Sequence, residues 1–262
     1  MSVDAHACLP LTLATWNIHG GVGTDGRYDE DRVFDVLREM RADVVALQEV
    51  ASLETHGTFL PRLTRATGYA AVAGPTLTRT RGDFGNAVLS RYPVCDVARL
   101  DLGLPGCEPR GALDVKIDIE GREVRVIATH LGLRPRERRA QVKRLLGALA
   151  EGDPHVTVLM GDLNEWYLWG RPVRWLHEHF RATPALATFP SWRPLFALDR
   201  IWVRPAAFLL GLQRHATACA RRASDHLPLL ATVALVPCSA SVSAPHGFSP
   251  EPFLPLRDSA RT

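Results

Sequence analysis

The 262 residues predict a mixed α/β fold in which two packed, mixed sheets carry their helices on the outside. Three observations point there. Short β-prone runs recur along the whole chain. Helical periods are too few to supply a crossover between every pair of strands, as a doubly wound parallel sheet requires. Two adjacent alternating runs are joined by Glu120-Gly121, which is a hairpin signal. With 46% hydrophobic residues the chain is long enough to bury one large core, so a single domain is expected.

Leu11 to Trp16 is short, alternating and β-prone, and it runs into Asn17-Ile18-His19-Gly20-Gly21, where the glycines end it. Asn17 is therefore placed at the end of a first strand. From Asp29 to Met40, Val33, Val36, Leu37 and Met40 recur at helical spacing, behind the acids Asp29, Glu30 and Asp31 that suit the positive end of a helix dipole. Asp43 to Leu47 reads as a buried strand that ends at Gln48-Glu49. A glutamate there is either a solvated loop residue or a ligand from a second strand tip. A helix is expected near Phe59 to Thr67, and strands over Tyr69 to Ala73 and Phe84 to Leu89.

Ala112 to Ile119 and Glu123 to Thr129 form the expected hairpin, with one face buried and one wet, and its second arm delivers His130. A histidine after a strand is a packing or capping residue unless other polar groups meet it. Arg136 to Leu149 places Val142, Leu145, Leu146 and Leu149 at helical spacing, with Arg136, Arg139 and Lys143 on a polar face. Val158 to Met160 is an apolar run that stops at Gly161 and presents Asp162 and Asn164. In an extended exit, residues two apart point the same way, so these two aim their oxygens at one point. The plain alternative is a strand followed by an ordinary polar turn.

Trp166, Trp169 and Trp175 follow, interleaved with arginines. They form either a platform for bases or lipid headgroups or simply part of the core packing. Leu198 to Val203 reads as another strand with Asp199 near its start. Asp225 and His226 precede the last strand, Leu229 to Leu235. Residues 1–10 are read as an extension, 11–236 as the domain, and the Pro/Ser-rich stretch 237–262 as a flexible tail.

A formal net charge of +3 tolerates an anionic substrate but falls short of a protein that coats nucleic acid. Cys8, Cys95, Cys107, Cys219 and Cys238 are scattered and odd in number, which fits reduced thiols in a cytoplasmic protein. The first residues lack a basic start and an apolar h-region, and no stretch reaches the roughly 18 apolar residues of a membrane span. Neither secretion nor membrane insertion is expected, and a monomer is.

The strand ends together offer oxygens from Asn17, Glu49, Asp162, Asn164, Asp199 and Asp225, plus His130 and His226. Carboxylate and amide oxygens suit a hard ion such as Mg²⁺, and the absence of Cys or paired-His spacing argues against zinc. Thr15-Trp16-Asn17-Ile18-His19-Gly20, Leu47-Gln48-Glu49-Val50, Gly85-Asn86-Ala87-Val88-Leu89-Ser90, Thr129-His130-Leu131, Gly161-Asp162-Leu163-Asn164, Leu198-Asp199-Arg200-Ile201 and Ser224-Asp225-His226-Leu227-Pro228 occur in this order. They resemble the motifs of the endonuclease/exonuclease/phosphatase (deoxyribonuclease I-like) superfamily over about residues 11–236.

The resemblance implies a four-layered α/β/β/α sandwich of two mixed, mainly antiparallel sheets, with the site at one end of both. It implies Glu49 as principal metal ligand, with Asn17, Asp162, Asn164 and Asp225 near the metal, the attacking water or the phosphate. His226, oriented by Asp199, resembles the family's general base or phosphate-polarising group, and His130 its second histidine. In deoxyribonuclease I-like nucleases a glutamate stands where Tyr92 is found and pairs with the histidine corresponding to His130, so Tyr92 argues against that nuclease type. The Trp-Asn-Ile-His-Gly opening is more similar to sphingomyelinase-like and related bacterial members. The expected activity is Mg²⁺-dependent hydrolysis, with Mn²⁺ as a substitute, of small or lipid-derived phosphodiesters. A nuclease acting on DNA or RNA through Arg79, Arg81, Arg134, Arg136, Arg221 and Arg222 is the second reading, and a binding protein without catalysis the third.

Overall fold

The computed structural model describes residues 9–53, 59–79, 82–150 and 155–235. The expected extension 1–10 lies outside them except for Leu9 and Pro10, and the expected tail 237–262 lies wholly outside.

In chain order the first half comprises β1 (Pro10–Asn17), α1 (Glu30–Met40), β2 (Val44–Leu53), α2 (Phe59–Thr67), β3 (Ala70–Arg79), β4 (Gly82–Ser90) and β5 (Val94–Asp101). The second half comprises β6 (Gly111–Ile119), β7 (Arg122–His130), α3 (Pro135–Leu149), β8 (Val156–Asp162), α4 (Arg171–Phe180), β9 (Asp199–Arg204), β10 (Leu209–Arg214), α5 (Ala218–Ala223) and β11 (Leu229–Ala234). A six-stranded sheet has the order β10-β11-β1-β2-β4-β3, and a five-stranded sheet has the order β5-β6-β7-β8-β9. Only β1–β2 and β7–β8 pair in parallel among the described strands.

Period-two alternation builds the layers. Leu11 and Leu13 of β1 face a core between the sheets, where they join Val115, Val126, Val158 and Met160 of the second sheet. Ala14 and Trp16 face the opposite side and pack with Val33, Leu37 and Leu63 from α1 and α2. On the far side, Ile127, Leu159 and Trp202 pack against Leu145 of α3 and Leu176 of α4. Four layers result, as the motif resemblance implies.

Asp29 caps α1, its carboxylate accepting from the Asp31 amide, so the expected helix begins one residue later, at Glu30. The hairpin about Glu120-Gly121 forms with Val115 opposite Val126. The strand expected to stop at Leu47 continues to Leu53. Its register shifts between Leu47, opposite Ala87, and Val50, opposite Gly85, so Gln48 and Glu49 together face Asn86. This is a β-bulge, and Glu49 sits in it with φ of 56°.

The pairings gather one end of both sheets. Asn17 lies opposite Gln48, Thr15 opposite Leu229, and the neighbouring tips His130, Asp162 and Asp199 stand in one row across β7, β8 and β9.

Candidate active site

The site is built from these strand ends, starting at Gly161. A Cβ on Gly161 would lie 1.8 Å from the Thr129 carbonyl oxygen. Only glycine allows β8 to run this close to β7, and the next residue, Asp162, is thereby held beside His130. Asp162 is fully buried. Its Oδ2 accepts from Asn17 Nδ2 at 3.0 Å and lies 3.6 Å from His130 Nε2 and 3.7 Å from His226 Nε2. Its Oδ1 accepts from the Asn164 backbone amide at 2.8 Å.

The same Asn17 amide group donates to Glu49 Oε1 at 3.0 Å, and Asn17 Oδ1 accepts from the His19 amide. One side-chain amide thus bridges a carboxylate from each sheet. The β-bulge lets Glu49 reach it, because a regular pleat would pair residue 49 into the ladder instead.

His226 Nδ1 stands 2.8 Å from Asp199 Oδ2, and that oxygen also accepts from Thr188 Oγ1 at 2.5 Å. The His226 backbone is fixed by its carbonyl, which accepts from Trp16 Nε1, and by its amide, which donates to Ser224 Oγ. Asp199 sits behind the imidazole and fixes its orientation. Burial alone would depress the His226 pKa, but the Asp199 and Asp162 carboxylates outweigh it and raise the group to about 10.

His130 goes the other way. Burial lowers it to about 4; the Asp162 charge opposes this, and Arg110 adds to it. Arg110 Nη1 lies 3.3 Å from Nδ1 and Asn164 Nδ2 lies 3.0 Å from Nε2. Two donors face the ring, and an imidazolium could accept from neither. The site therefore holds two histidines of opposite proton affinity on either side of one carboxylate.

A cavity of about 370 Å³ opens over these groups. Asn17, Glu49, His130, Asp162, Asn164, Asp225 and His226 all line it, so the structure brings together every expected residue except Asp199, which lies behind His226. Asp225 stands at the mouth with a side chain 38% exposed.

Asn164 differs from its expectation. It lies past the strand with φ of 50°, and its side-chain NH₂ donates to the Leu131 carbonyl at 2.9 Å. The pleat does not aim its oxygen alongside that of Asp162; a left-handed turn brings the residue to His130 instead. Tyr92 lies beyond Ser90, which pairs with Val44 at the opposite end of the sheet from Asn17. The side chain beside His130 Nδ1 is Arg110, held in turn by Glu108 at 3.0 Å. Sequence reasoning missed both Arg110 and Thr188, since neither falls in a periodic run and only the tertiary fold brings them to their histidine and aspartate.

A divalent cation fits part of this donor set. Among the described residues neither Glu49 nor Asp162 has a lysine or arginine partner. The cavity thus carries an excess of carboxylate oxygen with an amide between, which suits a hard ion. Asp162, Asp199 and His226 also offer atoms within 4.8 Å of one another. The 2.8 Å hydrogen bond between the last two marks an oriented pair rather than a cage, and Glu49, Asn17 and Asp225, which line the cavity, are residues that could hold an ion.

An α/β/β/α sandwich with carboxylates, amides and two histidines at one end of paired sheets is a deoxyribonuclease I-like protein. Residues 14–226 match the model of the endonuclease/exonuclease/phosphatase family, and the chain belongs to that family, whose members hydrolyse phosphoester bonds and generally use a divalent metal. It is 33% identical over 252 residues to the protein YbhP of Escherichia coli K12, covering 85% of this chain and 96% of that one. Among solved structures it is similar to an endonuclease/exonuclease/phosphatase from Beutenbergia cavernae DSM 12333, with a TM-score of 0.73 and 26% identity over 87% of this chain and 72% of the other. A second, from Bacteroides vulgatus, gives a TM-score of 0.70 at 21% identity over 86% and 98% of the two chains.

Proposed function

We propose that this protein is a Mg²⁺-dependent phosphodiesterase, with Mn²⁺ as an effective substitute, acting on small or lipid-derived phosphodiesters. The observation that carries this reading is the cluster in which Asp162 contacts Asn17, His130 and His226 while Asp199 holds His226 from behind. Glu49, Asn17 and Asp225 would hold the cation. When bound, it would neutralise phosphate charge and acidify a coordinated water.

The remaining work falls to the chain itself. His226, held protonated by the Asp199 and Asp162 carboxylates, is placed to donate through Nε2 to a phosphate oxygen and polarise it, while Asp162 beside it is placed to take a proton from the attacking water. Asp162 and Asn17 fix the position of that water relative to phosphorus, which favours in-line attack. His130 and Asn164, with Arg110 behind them, meet the phosphate from the other side and assist departure of the leaving oxygen.

A nuclease reading is less well supported by the arginines expected to serve it. Arg221 donates to the Ser191 and Trp192 carbonyls, Arg222 pairs with Asp25, and Arg134 pairs with Glu137. Arg81 and the Arg79 side chain lie outside the described residues.

The test is hydrolysis of bis(p-nitrophenyl) phosphate, p-nitrophenyl phosphate and supercoiled plasmid with Mg²⁺, Mn²⁺ or EDTA, with His226→Ala run beside the wild type. Metal-dependent cleavage of the diester, lost in the variant, is the expected result. Plasmid nicking that outpaces the diester would move the reading to a nuclease. Metal-independent turnover, or none on any substrate, would overturn it.

A further inference from the structure

Four consecutive residues after the Asp162–Asn164 turn, Trp166, Tyr167, Leu168 and Trp169, expose large apolar side chains, with Trp169 at 72%. A second segment, between α4 and β9, exposes Trp192, Leu195 and Phe196. The two form one surface, because Trp166 packs edge-on against Phe189 and Phe196 with ring centroids 5.9 and 4.8 Å apart. Leu133, itself exposed, joins Trp166 and Phe189 in lining the catalytic cavity, so the apolar surface runs into the mouth of the site.

This surface is held in place. Glu165 is buried against Arg138 and accepts from the Tyr167 amide, while the Gly170 amide donates to the Tyr167 carbonyl. A fixed apolar patch of this kind on a water-facing protein marks a contact surface.

Composition and charge identify the partner. Tryptophan and tyrosine favour the boundary between headgroups and hydrocarbon. Leu133, Leu168 and Leu195 suit acyl chains and have no ring to stack on a base, which sets this surface apart from a nucleic-acid platform. The rim segments 166–169 and 192–196 contain Arg193 and no acidic residue, and Arg171 and Arg174 open α4 directly after the first, ahead of its one acid, Glu178, so the rim complements a negative surface. We infer that the rim formed by Trp166–Trp169 and Trp192–Phe196 docks the cavity onto an anionic phospholipid bilayer, from which the enzyme takes its phosphodiester substrate at headgroup level. The choice of substrate rests on the phosphodiesterase reading; the docking itself does not.

The full chain is sedimented with phosphatidylcholine vesicles, with and without a quarter of phosphatidylglycerol, beside the Trp169→Ser/Trp192→Ser double variant. A single-stranded oligonucleotide serves as the competing probe. Wild type is expected to bind the anionic vesicles, and the variant to bind them more weakly by on the order of tenfold or more. Both should turn over bis(p-nitrophenyl) phosphate within about twofold of each other, since neither substituted ring lines the cavity. Wild type that ignores vesicles, a variant that binds as wild type does, or loss of oligonucleotide binding in its place would each overturn the docking. Vesicle binding without diester turnover would leave the docking standing and reject the catalytic reading instead.

Discussion

His226 Nδ1 and Asp199 Oδ2 stand 2.8 Å apart although Asp199 opens a strand of the five-stranded sheet and His226 lies just before a strand of the six-stranded one. The hydrogen bond crosses the sandwich. Asn17 makes a second crossing, since it belongs to β1 and donates to Asp162 of β8. The site is a seam, and the packing of one sheet on the other sets its geometry.

From this pair comes a prediction about the contribution of His226 to catalysis. His226→Ala should lower kcat/KM for the diester by about 10²–10⁴-fold, the usual worth of a positioned acid–base group. Asp199→Asn leaves the imidazole in place without its orienting charge, and its loss should fall in the same range. Because the two act as a unit, the double variant should be little worse than His226→Ala alone. Steady-state kinetics with circular dichroism as a fold control would show it, and full activity in Asp199→Asn would contradict the arrangement.

Glu49 gives a readout independent of turnover. Added Mg²⁺ or Mn²⁺ should raise the melting temperature of the wild type, because a ligand that binds only the native state stabilises it. Glu49→Gln keeps the shape and removes the charge, and should weaken Mn²⁺ binding at least on the order of 10–100-fold. Electron paramagnetic resonance of free Mn²⁺ measures this directly, and unchanged affinity would remove Glu49 from the ligand set.

His130 predicts how the metal-free chain responds to acid. Its folded-state pKa of about 4 lies below the ordinary 6.5, so the unfolded chain binds the extra proton first. The stabilisation is complete above about 6.5 and is lost as pH falls towards 4. His177 and His179 shift in the same direction, for burial first and then a neighbouring arginine, and contribute to the slope. His130→Gln should therefore flatten the dependence of urea midpoint on pH across this window without abolishing it. Parallel curves for the two proteins would count against a neutral, buried His130.

Arg138 and Glu165 test the scaffold around the site. Arg138 Nε lies 3.1 Å from Glu165 Oε2, and its Nη1 donates to the Leu133 carbonyl at 2.6 Å, with both side chains at 5% exposure or less. Arg138→Ala leaves Glu165 buried and unpaired and should cost about 3–5 kcal/mol in urea denaturation. Replacing both, as Arg138→Met/Glu165→Leu, should recover much of that. Diester turnover should fall in the single variant, because Glu165 adjoins Asn164.

The strands that surround the core were legible because burial on one or both faces writes itself into the chain: Val156 to Met160 and Leu229 to Ala234 are nearly continuous apolar runs. Of the four sheet edges, β3 and β9 were legible and β5 and β10 were not. Val94–Asp101 and Leu209–Arg214 are edge strands with much of their surface exposed; Asp96, Arg99 and Asp101 break the alternation of the first, and the register shift between Leu209 and Gly211 breaks that of the second. Helix α4 was legible, since Val173, Leu176 and Phe180 recur at helical spacing, but the reading of Trp166, Trp169 and Trp175 as one aromatic and basic run passed over it. Arg138, Arg136 and Arg139 look alike in sequence, yet Arg138 is buried and Arg136 is exposed; only the position of Glu165 distinguishes them. Within the site, the strand-tip acids and histidines could be read from their places after apolar runs. Their supporting partners Arg110 and Thr188 come from irregular segments, where no period announces a contact.

The bulge at Gln48-Glu49 makes the site a defect in its own sheet. A non-glycine residue held at φ of 56° carries backbone strain of order 1–3 kcal/mol. Deleting one residue there would let β2 and β4 zip without interruption, giving a more regular ladder and removing the carboxylate from the cavity. Stabilising this protein by idealising its strands would therefore select against its chemistry, and variants chosen only for heat resistance should accumulate losses of function at this point of β2 first.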